Sequence, residues 1–347
     1  MSVLTGPIPL ALLRGSHVAA LAVLFGTLGF RALILPGLGS AAPAGRLRRL
    51  AVGSAVAALA LGTAWFLAEA SVISGVFGPV ALLGALPSVL AYLGFARLLA
   101  FRLAVLVLLL ACLVALPAER LGSWRLGGLC AAAGIALGLQ PWLGHAGAAG
   151  ARAGEILPWA ELAHLLGVGL WFGGLPALRL ALSSLAEPAP AVHRFAAVAL
   201  AAVLAIAATG AVQGWYLVGG IGRMTETGYG RTVLCKTVLF AGALILALAN
   251  RLVLSRRLDL AAARRRLGAS VGIEALIGLG IVLAAGFLAG LPPGADHAGT
   301  APPWPLLLLP AGAVLLAATL IAWRLIRRLP ARSLSTACSL SSEGVSR

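Results

Sequence analysis

The stretch His17-Val-Ala-Ala-Leu-Ala-Val-Leu-Phe25-Gly26-Thr-Leu28 returns as His164-Leu-Leu-Gly-Val-Gly-Leu-Trp-Phe172-Gly173-Gly-Leu175, an offset of 147 from position 17 to position 164. Histidine, phenylalanine, glycine and leucine recur at matching places, and neither stretch carries a formal charge after its histidine. A second echo follows: Gly144-His145-Ala146-Gly147 returns as Asp296-His297-Ala298-Gly299. A third matches Gly94-Phe95-Ala96-Arg97 with Arg102 to Gly228-Tyr229-Gly230-Arg231 with Lys236. Four of the five histidines therefore occupy corresponding places in two halves of the chain. The chain is built from a repeat, and each half opens on a hydrophobic helix headed by histidine.

Working outward, the composition states what solvent these helices occupy. Hydrophobic residues make up 61% of the 347, charged residues 10%, and the mean hydropathy is +1.03. That excludes an ordinary soluble domain, and apolar runs of about twenty residues along the chain predict an all-α, polytopic transmembrane bundle. The formal net charge is +16, but the basic residues fall between apolar runs rather than on one soluble face. They read as topology signals at a lipid bilayer, and a nucleic-acid partner is not expected. Cys112, Cys130, Cys235 and Cys338 show no CxxC or other metal spacing and no disulfide framework. The N-terminus lacks a basic leader and a small-residue cleavage site, so the first apolar run is expected to stay as a helix.

About nine spans are predicted: 9–35, 50–73, 78–116 (bent, with the helix proper from about 98), 124–143, 157–182, 195–219, 232–254, 269–291 and 304–326. They divide into a first four-helix repeat at 1–147, a second at 148–300, an additional membrane helix at 301–332 and a serine-rich, disordered cytoplasmic tail at 333–347. With arginine-rich segments such as 251–266 inside, the N-terminus lies outside and the C-terminus in the cytoplasm. Both halves then start on the same side, which makes the repeats parallel.

On that topology His17 and His164 lie in the outer ends of spans one and five, and His145 and His297 in outer loops. Neutral imidazole is the commonest protein ligand for copper, zinc and iron. An ionisable group inside a membrane marks function by default, because lipid does not solvate it. Glu161 precedes His164 by three residues and shares its helix face, as a partner of the imidazole or a ligand itself. Trp171 continues that face as a wall, and Gly173-Gly174 admits a close neighbour. Met224, in an outer loop, offers a thioether. The candidate metal ligands are therefore His17, His164, His145, His297, Glu161 and Met224. The structural alternative for each histidine is a ring bonded to a neighbouring backbone carbonyl. His193 has no repeat partner and reads as a solvated loop residue. Glu274, within span eight, reads as the partner of Arg251 or of Arg264 to Arg266, with a proton or ion relay as the alternative.

At these residues the chain resembles a known family. Glu161-Leu-Ala-His164, Leu170-Trp171-Phe-Gly173-Gly174-Leu175, Gly228-Tyr229-Gly230-Arg231 with Lys236, Asn250-Arg251 and the stretch from Ser270 to Gly278 follow the order of the copper resistance protein D (CopD) family. The likeness is strongest over 140–295. It implies a bacterial inner-membrane protein that takes copper from a periplasmic copper-binding partner toward the cytoplasm, with His164 the leading ligand and His17 its counterpart. This chain departs from the family in lacking methionine-rich segments.

The function expected is a copper permease with an outer-facing histidine site, copper ion being what it binds, and no enzymatic activity. No GxxxxGK[ST] phosphate loop is present, so movement follows a gradient or couples to protons. The alternatives are a b-type haem redox protein ligated by His17 and His164, or a factor delivering copper to an oxidase.

Overall fold

The computed structural model describes residues 6–36, 38, 43–116, 122–143, 151–220, 222–254 and 261–293. Among these every regular element is helical. They are α1 (Pro7–Gly29), α2 (Ala44–Ser74), α3 (Pro79–Tyr92), α4 (Gly94–Ala115), α5 (Ser123–Gly138), α6 (Ala151–Trp171), α7 (Gly174–Ser184), α8 (Ala189–Val218), α9 (Arg223–Glu226), α10 (Gly228–Ala249) and α11 (Ala261–Leu288). Wider turns extend α1 over Phe30–Ile34 and α10 over Asn250–Leu254, and a tight turn, Gln140–Leu143, follows α5.

Among the described residues eight stretches are long and apolar enough to cross a membrane: 7–34, 44–74, 94–115, 123–143, 156–184, 189–218, 228–252 and 261–288. The chain is a multi-pass membrane protein. Its helices are apolar all round, and large aliphatic side chains such as Leu108 (67% exposed) and Leu276 (69%) point outward, as lipid-facing residues do. The expected ninth span, 304–326, lies outside the described residues, as does Cys338.

Two expected spans are divided. The run 78–116 is two helices meeting at Leu93, whose backbone is extended (φ −107°, ψ 112°); α3, with Pro87 inside it, is too short to cross. The run 157–182 is interrupted after Trp171, where the amides of Phe172 and Gly173 both donate to the Val168 carbonyl (2.8 and 3.3 Å) before α7 begins.

That interruption sits where the two halves cross. A Cβ on Gly26 would enter the backbone at Gly169, Gly173 and Gly174, and a Cβ on Gly173 would enter the backbone at Ala22. Gly26 and Gly173 are the two glycines of the repeated stretch, so α1 and the α6–α7 break touch through equivalent residues. Small residues are what let membrane helices approach this closely. The rings of the equivalent Phe25 and Phe172 lie against glycines as well, Phe25 on Gly134 and Gly169, Phe172 on Gly278. Leu21, Leu24 and Leu28 are fully buried in the core around the crossing.

The second helix of each half ends on a left-handed glycine, Gly75 (φ 67°) after α2 and Gly219 (φ 78°) after α8. The alternation of the helices brings the start of α1, the ends of α2 and α8, the starts of α4 and α10 and the first turns of α6 to one end of the bundle. His17 and His164 belong to this end.

Candidate functional site

His17 follows Pro7 by ten residues, about 15 Å along the helix, so it lies inside the bundle rather than at its rim. It is fully buried. Nδ1 is 2.7 Å from the Ala58 carbonyl of α2; a carbonyl only accepts, so Nδ1 carries the proton and donates. Nε2 is then the lone-pair nitrogen, and it accepts from Nη1 of Arg102 at 3.5 Å. Arg102, in α4, is itself fully buried and donates through the same Nη1 to Gln140 Oε1 at 2.8 Å. Both ring nitrogens of His17 are thus engaged within the protein. Gly62 makes this possible, since a Cβ there would lie 2.6 Å from Cε1 and 2.7 Å from Nδ1 of the ring. On the other side stands Trp65, 5.9 Å from the His17 ring, with the Arg14 guanidinium over it at 5.3 Å. Glu69 accepts from Trp65 Nε1 (3.1 Å) and pairs with Arg14 (3.7 Å).

His164 is arranged by the same plan with one substitution. Its Nδ1 is 3.1 Å from Thr209 Oγ1, and the Thr209 hydroxyl donates to the Ala205 carbonyl at 2.6 Å. Thr209 therefore accepts from Nδ1–H. Ala58 and Ala205 both lie 41 residues after their histidine, and Thr209 falls where the first half has Gly62. A hydroxyl bridges ring and carbonyl in the second half, where direct contact joins them in the first. The consequence is chemical: Nδ1 of His164 is committed as donor, and Nε2 is left as its coordinating nitrogen.

The third helix of each half supplies a cation. Arg102 acts on His17, and Lys236 of α10, its repeat counterpart, acts electrostatically on His164. Glu161, one turn before His164, interacts with both Arg102 and Lys236, and also with the buried Tyr229. The Nε and Nη2 atoms of Arg102 have no hydrogen-bond partner. Arg102 and Lys236 thus each act electrostatically on Glu161, while the hydrogen bonds at this end join His17 to Arg102 and Gln140, and His164 to Thr209.

The expected ligands divide accordingly. His164 and Glu161 are brought together; His17 reaches them only through Arg102. His145 and His297 lie outside the described residues. Met224 sits in α9, half-buried, its backbone packed against Gly230, and no described contact joins it to His164. Among the described residues no three His, Cys, Asp or Glu side chains are gathered to hold a metal ion. Trp171 is not a wall of the histidine site: two turns further on, it donates to Glu274 Oε1 at 3.0 Å and stands edge-on to Phe240. His193 is an exposed helical residue of α8 rather than a loop residue. Three participants escaped the sequence reading. Arg102 and Lys236 look like surface charges beside apolar runs, although their recurrence in the third echo was the available signal. Thr209 carries no signal at all until it is set against Gly62.

An all-helical, multi-pass membrane protein with buried histidines and compensating charges defines a class that handles small ions or redox groups. Comparison with known families narrows it. The model described as Copper resistance protein D matches residues 189–288, and that of the Copper resistance protein D-like, N-terminal domain matches residues 4–155. The chain belongs to the copper resistance protein D family. It is also similar to the copper transport protein CutJ of Bacillus subtilis (strain 168), 30% identical over 161 residues, which is 44% of this chain. The match spans 28% of that protein's length. No solved structure matches.

Proposed function

We propose that the protein is a copper permease whose histidine end faces the outside of a bacterial inner membrane and whose Arg264-to-Arg266 end faces the cytoplasm. The inside-positive distribution of arginine supports that orientation. Copper is the cargo, delivered by a periplasmic copper-binding protein and captured at His164 Nε2 with Glu161; His145 and His297 are the further ligands proposed.

The observation that carries this reading is the hydrogen bond from His164 Nδ1 to Thr209, which fixes one tautomer and presents the other nitrogen. Metal-binding histidines are oriented in this way by a partner on the far nitrogen. Lys236 acts electrostatically on Glu161 and His164, and copper takes its place as the cation beside Glu161. His17 is the closed counterpart, with Arg102 held against the nitrogen that a metal would use. A haem held between His17 and His164 would require Arg102 to leave His17 Nε2, whereas copper capture requires only His164.

The test is metal content and a visible spectrum of detergent-purified protein, wild type beside His164→Ala and the double variant His17→Ala/His164→Ala. Stoichiometric copper in the wild type, lost in both variants and without a Soret band, is the expected result. Unchanged copper binding in His164→Ala removes this site, and a Soret band moves the protein to the cytochromes.

A further inference from the structure

A second polar centre lies beyond Trp171. Glu274 is 4% exposed in the middle of α11. Its neighbours are Trp171, donating to Oε1 at 3.0 Å, and Asn250 at the end of α10, both neutral. Asn250 is itself buried, and among the described residues neither its Nδ2 nor its Oδ1 has a partner within hydrogen-bond distance. One turn before Glu274 the buried Ser270 hydroxyl is also without a partner. Glu274 and Asn250 line a cavity of about 560 Å³ between α8, the end of α10 and α11, with Arg251 and His193 also on its wall.

We propose that Glu274 is a proton-exchange site, loaded and unloaded through this cavity, and that it couples proton movement to copper movement at His164. The coupling half rests on the copper permease reading; the exchange half does not.

A carboxylate at this depth with neutral neighbours needs a cation, because an unpaired charge in hydrocarbon costs several kcal/mol. The oxygen and amide donors around it suit a proton better than copper, which prefers imidazole and sulfur. The cavity is large enough for a file of waters, each taking about 30 Å³. The charged groups on the packed elements are Arg14, His17 and Arg31 on α1 and its extension, Arg179 on α7, Arg231, Lys236 and Arg251 on α10 and its extension, and Arg264 to Arg266 at the start of α11. On α6 they are Glu161 and His164, and on α8 His193 and Arg194. None of these makes an ion pair with Glu274 among the described residues. Arg179 lies instead against Gly272, 3.6 Å from where a Cβ would stand, and Arg194 donates to the carbonyls of Ile34 and Pro36.

The link to the outer site is α6. Glu161, His164 and Trp171 share one face of it, and the helix breaks immediately after Trp171 at the Gly26 crossing. Interrupted helices at mid-membrane are where transporters change shape around their sites. A shift at His164 is thereby transmitted to the indole that holds Glu274.

The experiment uses the full chain in vesicles of phosphatidylethanolamine and phosphatidylglycerol. Infrared difference spectra between acid and neutral pH, without copper, are expected to show a protonated-carboxyl band in the wild type that Glu274→Gln loses and Glu161→Gln keeps. Glu274→Asp, which retains the exchangeable group, keeps the band at a shifted frequency and guards against a folding defect in Glu274→Gln. A band of wild-type size in Glu274→Gln overturns the site. With a pH dye inside the vesicles, copper uptake by the wild type is accompanied by a pH change, and Glu274→Gln abolishes it. Uptake by Glu274→Gln with its pH change intact overturns the coupling. If the wild type moves no copper, the permease reading falls and the coupling falls with it, while the infrared band still decides whether Glu274 exchanges protons.

Discussion

The Thr209 hydroxyl lies between His164 and the Ala205 carbonyl, 3.1 Å from the ring and 2.6 Å from the oxygen. It occupies the place that Gly62 leaves empty in the first half, where His17 touches Ala58 directly. Both imidazoles therefore donate through Nδ1, but to different acceptors, and only His17 has an arginine against Nε2.

Thr209→Val keeps the shape of the side chain and removes the acceptor for Nδ1–H. Copper affinity at His164 is expected to fall by about 10- to 100-fold, the usual cost of losing a partner of a metal-bound histidine. Competition against a chelator of known affinity measures it. Affinity within about twofold of wild type would show that this hydroxyl does not orient the ligand.

His17 predicts the opposite pattern. His17→Leu removes the second donor of the Ala58 carbonyl and leaves the buried Arg102 guanidinium with Gln140 alone. Unsatisfied buried groups cost about 1–3 kcal/mol each, so the melting midpoint in detergent should drop while copper still binds. A variant that melts like wild type but binds no copper reverses the roles assigned to the two histidines.

The contact between Gly26 and Gly173 supplies a stability test free of metal. Gly26→Ala places a methyl group in the backbone of the α6–α7 break. Overpacking of a tight interface costs about 1–3 kcal/mol. Gly53→Ala is the control: it is exposed in α2 with nothing within 4 Å of the new methyl, so it should be neutral or slightly stabilising. Denaturant midpoints of the two variants are expected to move apart. Equal midpoints would mean that the crossing relaxes at no cost.

The helices, their number among the described residues and the all-α fold were legible because lipid demands long apolar runs, a signal that needs no knowledge of partners. The break after Trp171 was not, since the sequence around Gly173 reads as unbroken apolar helix and only the crossing with Gly26 explains its interruption. Arg102 and Lys236 were placed among surface charges because residue type alone does not say whether a base near the end of an apolar run faces water or a neighbouring helix. Burial of Arg102 depends on Gln140 in the turn after α5, a pairing between distant segments that no local pattern encodes. The arginine partner expected for Glu274 gave way to Trp171 for a similar reason: proximity in sequence to Arg264 says little about which helix face the carboxylate takes.

Lys236 provides the sharpest test of the charge network. It acts on both Glu161 and His164, and its ammonium opposes any cation brought to them. Lys236→Met keeps the length and apolar stem of the side chain while removing that charge. Two unit charges a few ångströms apart at an effective dielectric near 20 interact by about 4 kcal/mol before screening. Copper affinity is therefore expected to rise by roughly tenfold or more, a factor of ten being about 1.4 kcal/mol. Transport should slow at the same time, because the tethered cation that reclaims Glu161 and drives release is gone. Isothermal titration of the purified variant, followed by copper uptake in vesicles, separates the two effects. Weaker binding in Lys236→Met would mean that the ammonium supports the site, and the exchange of Lys236 for copper at Glu161 would have to be abandoned.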